Sequence, residues 1–512
     1  MSSPLFLRRR IILCLGSILF LTGGCAPVSQ QVKPEVWDCF YNGEYKRVMA
    51  DEERRAGESR SDCALAWANY ASAALACGEY ESASRALERA TGIMLDFRPE
   101  GEWRALHGSE ETKIYKGWPY EKAAAFLYLG MLDMMDGAYD KSLASFKTAV
   151  LADAGTRDER YRCDSPWAYV MLARAHLALG EESEAEDSTR DAVRVVRCRL
   201  NNGVVQDVVL KSLRQLQTSR ANEDKEILAA LSDMILQQLY WGNSDAETPL
   251  VALHEVAKSC GPILGSGLVR RDASGKQTKL DVAMTKAYFQ KLVVACESTL
   301  ARVPDKLYVD RTREMAAGIT RLADKKNNVI VILDLGRGPY KFRTGLKEHL
   351  IKVARDVSPE YSALVDVGGW KTEKATRVED MFFQAATLGG REMDAILGGK
   401  AVFKDRVETF GSLAYQIGGN YALPILIIAL ATSGSTDSQA DIRAWRCLPG
   451  EVHMEALQLP QGEYDVTVRF LDVRGDELPS LRLQRSGLRV HAPPEPSVWY
   501  FRSRGKVGGS SP

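Results

Sequence analysis

Three side chains near the C-terminus have types that could recognise a ligand. Asp441, Arg443 and Trp445 occupy alternate positions of one segment. In an extended chain alternate residues face the same way, so we expect an Asp441–Arg443 ion pair beside the Trp445 ring. Exposed, this group would be a platform for a carbohydrate or peptide, because rings stack on sugars and charges bind polar groups. Buried, it would be a structural latch before the following strands, and we favour the latch.

Other chemical signatures fail on spacing. Gly336–Pro339 follows an apolar run, but the phosphate-loop lysine is missing and Pro339 lacks an N–H donor. His254-Glu255 has no second histidine four residues after the first, and no C-x-x-C pair, serine elbow or Cys–His–Asp set stands out. We therefore expect no catalytic, cofactor-binding or metal-binding residues. Acidic residues are too common to single out a pair, so a hydrolase of wall glycans stays an alternative.

The N-terminus predicts export. Arg8–Arg10 precede the apolar run Ile11–Leu21, which is too short to cross a ~30 Å hydrocarbon core, and small residues lead to Cys25. This stretch resembles a bacterial lipoprotein signal, although Leu21 lies one position earlier than the family's usual leucine. The resemblance implies a signal peptide over residues 1–24, a lipid such as palmitate on Cys25, and a tether over residues 25–34. The alternatives are a cleaved signal with an incidental cysteine and a retained membrane anchor.

Composition narrows the class of protein. The 512 residues include 67 basic and 67 acidic side chains, and 64 basic ones remain once the three signal arginines are removed. Such a balance gives no reason to expect nucleic acid as a partner. Eight of the ten cysteines lie beyond Cys25, and their pairing cannot be derived from sequence. We expect some of them to be buried thiols.

An internal repeat organises residues 35–200. Large and small apolar residues precede a glycine turn and a second apolar stretch, with turns at Gly78, Gly137 and Gly180 and a degraded copy at Gly43. This pattern resembles the tetratricopeptide repeat (TPR), although the spacings after Gly78 are irregular and no proline closes each unit. The resemblance implies a helical solenoid whose concave surface holds a segment of an envelope protein. The alternative is that these helices only pack on the rest of the chain. His176, in the third copy, is expected to be a packing residue.

The remainder divides into two parts. Residues 201–326 predict helices, interrupted at Gly261-Pro262 and by an exposed loop over Arg270–Lys279. Residues 327–505 predict a smaller α/β or β-rich domain, with a strand at Val329–Leu335 buried on both faces. The strands that follow Asp441–Gly450 predict a hairpin, and residues 506–512 a disordered tail. The apolar stretch Tyr421–Ala431 predicts core or a membrane-resting segment. The fold class is thus α+β and multidomain.

Three motifs in the C-terminal half support a wider resemblance. They are Gly-x-x-Pro at 336–339, D-x-R-x-W-x-x-L-P from Asp441 to Pro449, and Pro-x-Gly-x-Tyr from Pro460 to Tyr464. With the signal and the repeats, they make the chain similar to an uncharacterised family of TPR-containing bacterial lipoproteins. The resemblance implies an architecture and a link to envelope or cell-wall assembly, but no activity. We expect a non-catalytic, lipid-anchored binding scaffold. Ala26 after Cys25 favours the outer membrane, facing the periplasm, and a glycan-binding module centred on Trp445 is the other alternative.

Overall fold

The protein is a mixed α/β chain whose sheets lie mainly in its C-terminal region. The computed structural model describes residues 34–95, 113–153, 165–218, 248–266, 269–271, 277–279, 281–301, 315–344, 350–368, 371–388, 441–491 and 495–504, with parts of 225–235. The signal segment, Cys25, Cys163, the stretch Tyr421–Ala431 and the tail 506–512 lie outside these residues.

Helices of the N-terminal region come in pairs joined by short turns. Gly43, Gly78, Gly137 and Gly180 lie in these turns with φ of 84°, 81°, 74° and 78°, a left-handed conformation that glycine adopts without a Cβ clash. The glycine turns therefore lie where the repeat pattern predicts them. The pairs are α1 (Pro34–Tyr41) with α2 (Tyr45–Glu58), α3 (Cys63–Cys77) with α4 (Tyr80–Met94), α5 (Pro119–Met135) with α6 (Tyr139–Asp153), and α7 (Pro166–Ala178) with α8 (Glu182–Gln217).

Small residues allow the helices of a pair to approach closely. A Cβ added to Gly130 of α5 would lie 2.5 Å from Cε1 of Phe146 on α6, and Phe146 is fully buried. The hydroxyl of Ser142 on α6 also donates to the carbonyl oxygen of Gly130 at 2.8 Å. Each helix from α1 to α8 packs on the next one along the chain, so the pairs form a continuous row.

The middle region differs from the sequence expectation in three places. Helix α8 continues to Gln217, across the expected boundary at residue 200. Helix α9 (Pro249–Ser266) continues through Gly261-Pro262, because Cys260 and Leu264 on either side of the proline are buried in one core with α10 (Val282–Leu300). The expected loop Arg270–Lys279 contains two antiparallel strands, β1 (Val269–Arg271) and β2 (Gln277–Lys279).

The C-terminal region contains two four-stranded sheets. The strands are β3 (Val329–Leu335), β4 (Tyr340–Thr344), β5 (Leu350–Ala354), β6 (Ser362–Val367), β7 (Lys371–Lys374), β8 (Thr376–Asp380), β9 (Glu451–Leu457), β10 (Gly462–Leu471), β11 (Leu483–Val490) and β12 (Ser497–Arg502). The inner sheet has the strand order β12-β3-β9-β8 and the outer sheet has the order β11-β10-β6-β7, while β4 and β5 form a separate pair. A short helix, α11 (Met381–Leu388), follows β8.

The expected hairpin between β9 and β10 is wrong. Both strands exist, but β9 pairs with β3 and β8, whereas β10 pairs with β6 and β11 in the other sheet. Burial explains the difference, since six of the seven residues of β9 are buried while β10 alternates between more and less exposed residues. A strand covered on both faces belongs in the middle of a layered structure, and an alternating strand belongs at its outside.

The inner sheet is the middle of three layers. All seven residues of β3 are buried, as predicted for a strand covered on both faces. Val331 and Leu333 lie in a core with the outer sheet, whereas Ile330 and Ile332 lie in a core with the helix pairs. Helices α3 and α5 contact β12, and α7 contacts β8. The helix pairs and the C-terminal region therefore share one hydrophobic core.

Candidate functional site

A buried carboxylate joins the helices to the inner sheet. Asp334 of β3 accepts hydrogen bonds at Oδ2 from the hydroxyls of Tyr128 on α5 (2.6 Å) and Tyr500 on β12 (2.7 Å). The guanidinium of Arg502 donates to the same oxygen at 3.2 Å. Burial raises the pKa of Asp334, and Arg502 and the two hydroxyls oppose that rise. Because Asp334 is only 1% exposed, these contacts hold the layers together and leave no surface for a ligand.

A second buried group lies between α5 and the motif segment 441–449. Glu121 of α5 accepts hydrogen bonds from the backbone N–H groups of Trp445 (2.7 Å) and Trp118 (2.6 Å) and from Nζ of Lys341 on β4 (3.2 Å). The Lys341 ammonium also lies 3.7 Å from the centre of the Trp118 ring and donates to the carbonyl oxygen of Arg443 at 3.0 Å. Burial lowers the pKa of Lys341, and the Glu121 carboxylate opposes this.

The expected ion pair between Asp441 and Arg443 is present. Nη2 of Arg443 lies 2.7 Å from Oδ2 of Asp441, and Nη1 lies 2.9 Å from Oδ1 of Asp62, which precedes α3. The same guanidinium donates to the backbone carbonyl oxygens of Ser61 and Lys113. The Arg443 side chain is only 9% exposed, so its charge binds the motif segment to the helix pairs.

Trp445 lies deeper than its two neighbours in the motif. Its side chain is fully buried, its Nε1–H donates to the hydroxyl of Ser72 on α3 at 2.9 Å, and its ring lies edge-on to that of Tyr128. A ring without exposed surface offers no face on which a sugar could stack. This geometry fits the latch interpretation of the three residues and not the carbohydrate platform.

The Gly-x-x-Pro turn packs directly against the motif segment. A Cβ on Gly338 would lie 2.6 Å from the carbonyl oxygen of Leu448. Similarly, a Cβ on Gly450 would lie 2.8 Å from the carbonyl oxygen of Arg337. The hydroxyl of Tyr41 on α1 donates to the carbonyl oxygen of Arg446 at 2.6 Å and accepts from the Gly338 N–H. Two motifs that are distant in sequence thus form one contact, in which glycines are needed for close backbone approach.

Sequence reasoning missed most of the partners in these contacts. Asp334 lies within the predicted strand, and Glu121 follows the Trp118-Pro119 helix start at the position of a capping-box acid. This position in the capping box is the one local sequence signal that points to Glu121. Asp62 and Lys341 carry no such signal, because the partners of a buried ion pair are brought together only by the tertiary fold.

An open cleft of about 770 Å³ lies beside α8, the second helix of the fourth helix pair. Its walls are α8 and residues 320–325, which begin at the end of a helical stretch at 315–322 and continue past it. Buried Arg174 of α7 fixes the second wall by donating to the carbonyl oxygens of Asp324 (2.9 Å) and Asn327 (2.7 Å). Nζ of Lys325 lies 2.9 Å from Oε2 of Glu182 and joins the two walls. A cleft of this volume is large enough for a ligand.

The other candidate groups have structural surroundings. His176 is 6% exposed, and its Nδ1 lies 2.6 Å from Oε2 of Glu181, as suits a packing residue. Burial raises the pKa of Cys260 to about 12 and that of Cys296 to about 11, which makes both thiols poor nucleophiles. Free thiols are found at Cys39, Cys63, Cys77, Cys198, Cys260, Cys296 and Cys447.

The described ranges contain neither a group of metal ligands nor a helix that could span a membrane. Within them, no three His, Cys, Asp or Glu side chains are grouped so that they could hold a metal ion. Nor does any helix in the described parts of the chain combine the length and apolar character needed to cross a bilayer.

These contacts define a mixed α/β protein in which a row of helix pairs is fixed by buried charges to a layered β region. No protein-family model, curated protein or solved structure matches this chain.

Proposed function

We propose that this chain is a non-catalytic, lipid-anchored protein of the bacterial cell envelope. In this proposal its TPR-like helix pairs form a scaffold that binds a protein partner during envelope or cell-wall assembly. The observation that supports it best is the open cleft beside α8 of the fourth pair. A cleft of this size with fixed walls suits a peptide segment, because binding to preorganised walls costs little ordering entropy.

The position of the inner sheet supports one side of the row of helices as the place for a partner. The sheet covers the first helices of three pairs, α3, α5 and α7, so that side of the row is occupied by the chain itself. The second helices α2, α4 and α8 carry exposed charged residues, among them Arg54, Arg85 and Arg190. We therefore assign partner binding to the side of the second helices, where α8 forms one wall of the cleft.

The proposed anchor has a direct test. Lipid on Cys25 would hold the protein at the membrane, and Ala26 favours the outer membrane with the protein facing the periplasm. In cell fractionation, Cys25→Ser should move the protein from the membrane fraction to the soluble periplasmic fraction. A conservative change at a buried cysteine, Cys296→Ser, serves as the control and should leave the protein at the membrane. Undiminished membrane association of the Cys25 variant would contradict the lipid anchor.

Partner binding is tested by photo-crosslinking in intact cells. A photoreactive amino acid placed at Thr320 in the cleft wall should yield a specific crosslinked protein. The matched control carries the same photoreactive group at Val473, which is 73% exposed near the outer sheet. It should yield no specific crosslinked protein. Crosslinks of equal yield at both positions, or none at Thr320, would count against a partner in the cleft.

Glycan binding is a second candidate, favoured by an exposed aromatic pair. Tyr340 and Phe342 on β4 are 36% and 39% exposed, with ring centres 6.4 Å apart, and the guanidinium of Arg446 lies 5.5 Å from the Tyr340 ring centre. Rings beside a charge can stack on sugars and bind their hydroxyls. The test is whether the protein sediments with insoluble wall glycan. Co-sedimentation that is lost in the Phe342→Ala variant but kept in the Val357→Ala variant would favour glycan binding over the scaffold function.

A further inference from the structure

The cleft is lined by basic side chains from both walls. Arg190, Arg194 and Arg197 follow one another along α8 at spacings of four and three residues, which places them on the same side of the helix. Arg321 and Lys325 line the opposite wall. A ligand in the cleft would therefore meet guanidinium or ammonium groups on two sides.

Two of the α8 arginines have replaceable partners. Arg190 pairs with Asp187, and Nε of Arg194 lies 3.3 Å from Oδ1 of Asp191; each acid is three residues earlier on the same helix. The Arg190 and Asp187 side chains are 77% and 61% exposed. Exposed ion pairs of this kind contribute little to stability, so a ligand carboxylate could replace the aspartate at small cost. Arginine also binds a carboxylate through two parallel hydrogen bonds.

Arg321 has a different role in the opposite wall. Its Nη2 lies 3.0 Å from Oε2 of Glu455, whose side chain is 1% exposed. Removing this arginine would leave a buried carboxylate without its cation, so Arg321 is unsuitable for a binding test.

The rest of the lining indicates a peptide rather than a uniform polyanion. Half-buried Leu177 and Val193 provide apolar surface between the charged groups. Acidic side chains also line the cleft, at Glu182, Glu186 and Asp324. These would repel a polyphosphate, whose charge is the same along its length, whereas a peptide can place acidic and apolar side chains at separate positions.

We propose that the cleft binds an acidic segment of a partner protein, with its carboxylates held by Arg190 and Arg197 and its apolar side chains on the surface around Val193. The inference rests on the proposed scaffold function and adds the chemistry of the partner. Arg194 and Lys325 would complete the positive surroundings of the segment.

The test measures binding of a short fluorescent peptide in which Glu alternates with Leu, by anisotropy, to the full chain in mild detergent. The variant R190Q/R197Q should bind at least about tenfold more weakly, because hydrogen bonds to charged groups are lost. The control is R54Q/R85Q, which removes exposed arginines paired with Asp51 and Glu81 on α2 and α4. It should bind as the unaltered chain does. Circular dichroism should show both variants equally folded.

The peptide chemistry provides the second comparison. A peptide with Gln in place of Glu should bind at least about tenfold more weakly. The proposal would be overturned by equal affinity for both peptides or by unchanged binding of the peptide to R190Q/R197Q. It would also be overturned by an equal loss of binding in the control variant, or by displacement of the peptide by inorganic polyphosphate at matched charge. A crosslinked partner at Thr320 together with any of these outcomes would leave the scaffold function standing and reject only the acidic segment.

Discussion

The buried ion pair between Glu121 and Lys341 allows a quantitative test of how helices and sheets are joined. The two side chains are 0% and 1% exposed. Glu121→Gln keeps the shape of the side chain. In either orientation of the new amide group, however, its NH₂ would face hydrogen-bond donors, either the N–H of Trp445 or the N–H of Trp118 and Nζ of Lys341. Lys341 would keep its hydrogen bond to the carbonyl oxygen of Arg443 and lose the carboxylate that balances its charge.

The expected magnitude follows from the charge left behind. Removing one partner of a buried pair costs about 3–5 kcal/mol, because the other charge remains without compensation. Glu121→Gln and Lys341→Met should therefore each lower the free energy of unfolding by about this amount. In the double variant neither charge is present, so its loss should be about 3 kcal/mol smaller than the sum of the two single losses.

Urea unfolding of the full chain in mild detergent, followed by circular dichroism and tryptophan fluorescence, measures these free energies. Glu81→Gln, which removes an exposed pair with Arg85 on α4, is the control and should change stability little. A loss below about 1 kcal/mol for Glu121→Gln would refute the reasoning. So would a double variant that loses the full sum, since the two residues would then act independently.

Two further predictions concern the helix pairs and the buried hydroxyls. Gly130→Ala should lower the free energy of unfolding by about 1–2 kcal/mol, because its Cβ would overlap Phe146. Gly92→Ala, at an open position of α4, should raise the free energy of unfolding by about 1 kcal/mol. Urea unfolding of both variants separates packing from helix propensity, and a loss of stability in both would contradict the prediction. Burial raises the pKa values of Tyr128 and Tyr500 well above 10, so the folded chain holds protons that the unfolded chain releases. Their contribution to stability is present below about pH 10 and is lost as the pH rises above it, by up to about 1.4 kcal/mol per tyrosine and pH unit. The last part of the rise in tyrosinate absorbance should therefore coincide with loss of helical circular dichroism, and complete ionisation of the tyrosines without unfolding would contradict this.

Local features of the fold could be predicted from sequence. The turns at Gly43, Gly78, Gly137 and Gly180 require a left-handed residue between two amphipathic stretches, and the glycine offsets alone locate them. The strand Val329–Leu335 is likewise recognisable, because a continuous apolar run of that length suits a strand covered on both faces.

The missed features depend on contacts between distant residues. β9 and β10 look like a hairpin because they are adjacent and separated by a turn, yet they enter different sheets. What separates them is burial of the polar residues His453 and Glu455 in the middle layer, and only the tertiary fold provides that environment. The same holds for Asp334 and Lys341, each of which has a partner on α5 more than 200 residues earlier in the chain.

Buried charges also limit how the layers can dock. If α5 moved by one turn, Glu121 would lose Lys341 of β4 and Asp334 would lose the hydroxyl of Tyr128. The unpaired charges of Glu121 and Lys341 would each cost several kcal/mol. A single docking position keeps the walls of the cleft at one separation, because Arg174 ties residues 322–327 to the same row of helices. Preorganised walls reduce the entropy lost on binding. If Cys25 holds the chain at the membrane beside its partner, the effective concentration rises as well, so the cleft needs only modest affinity for an acidic segment.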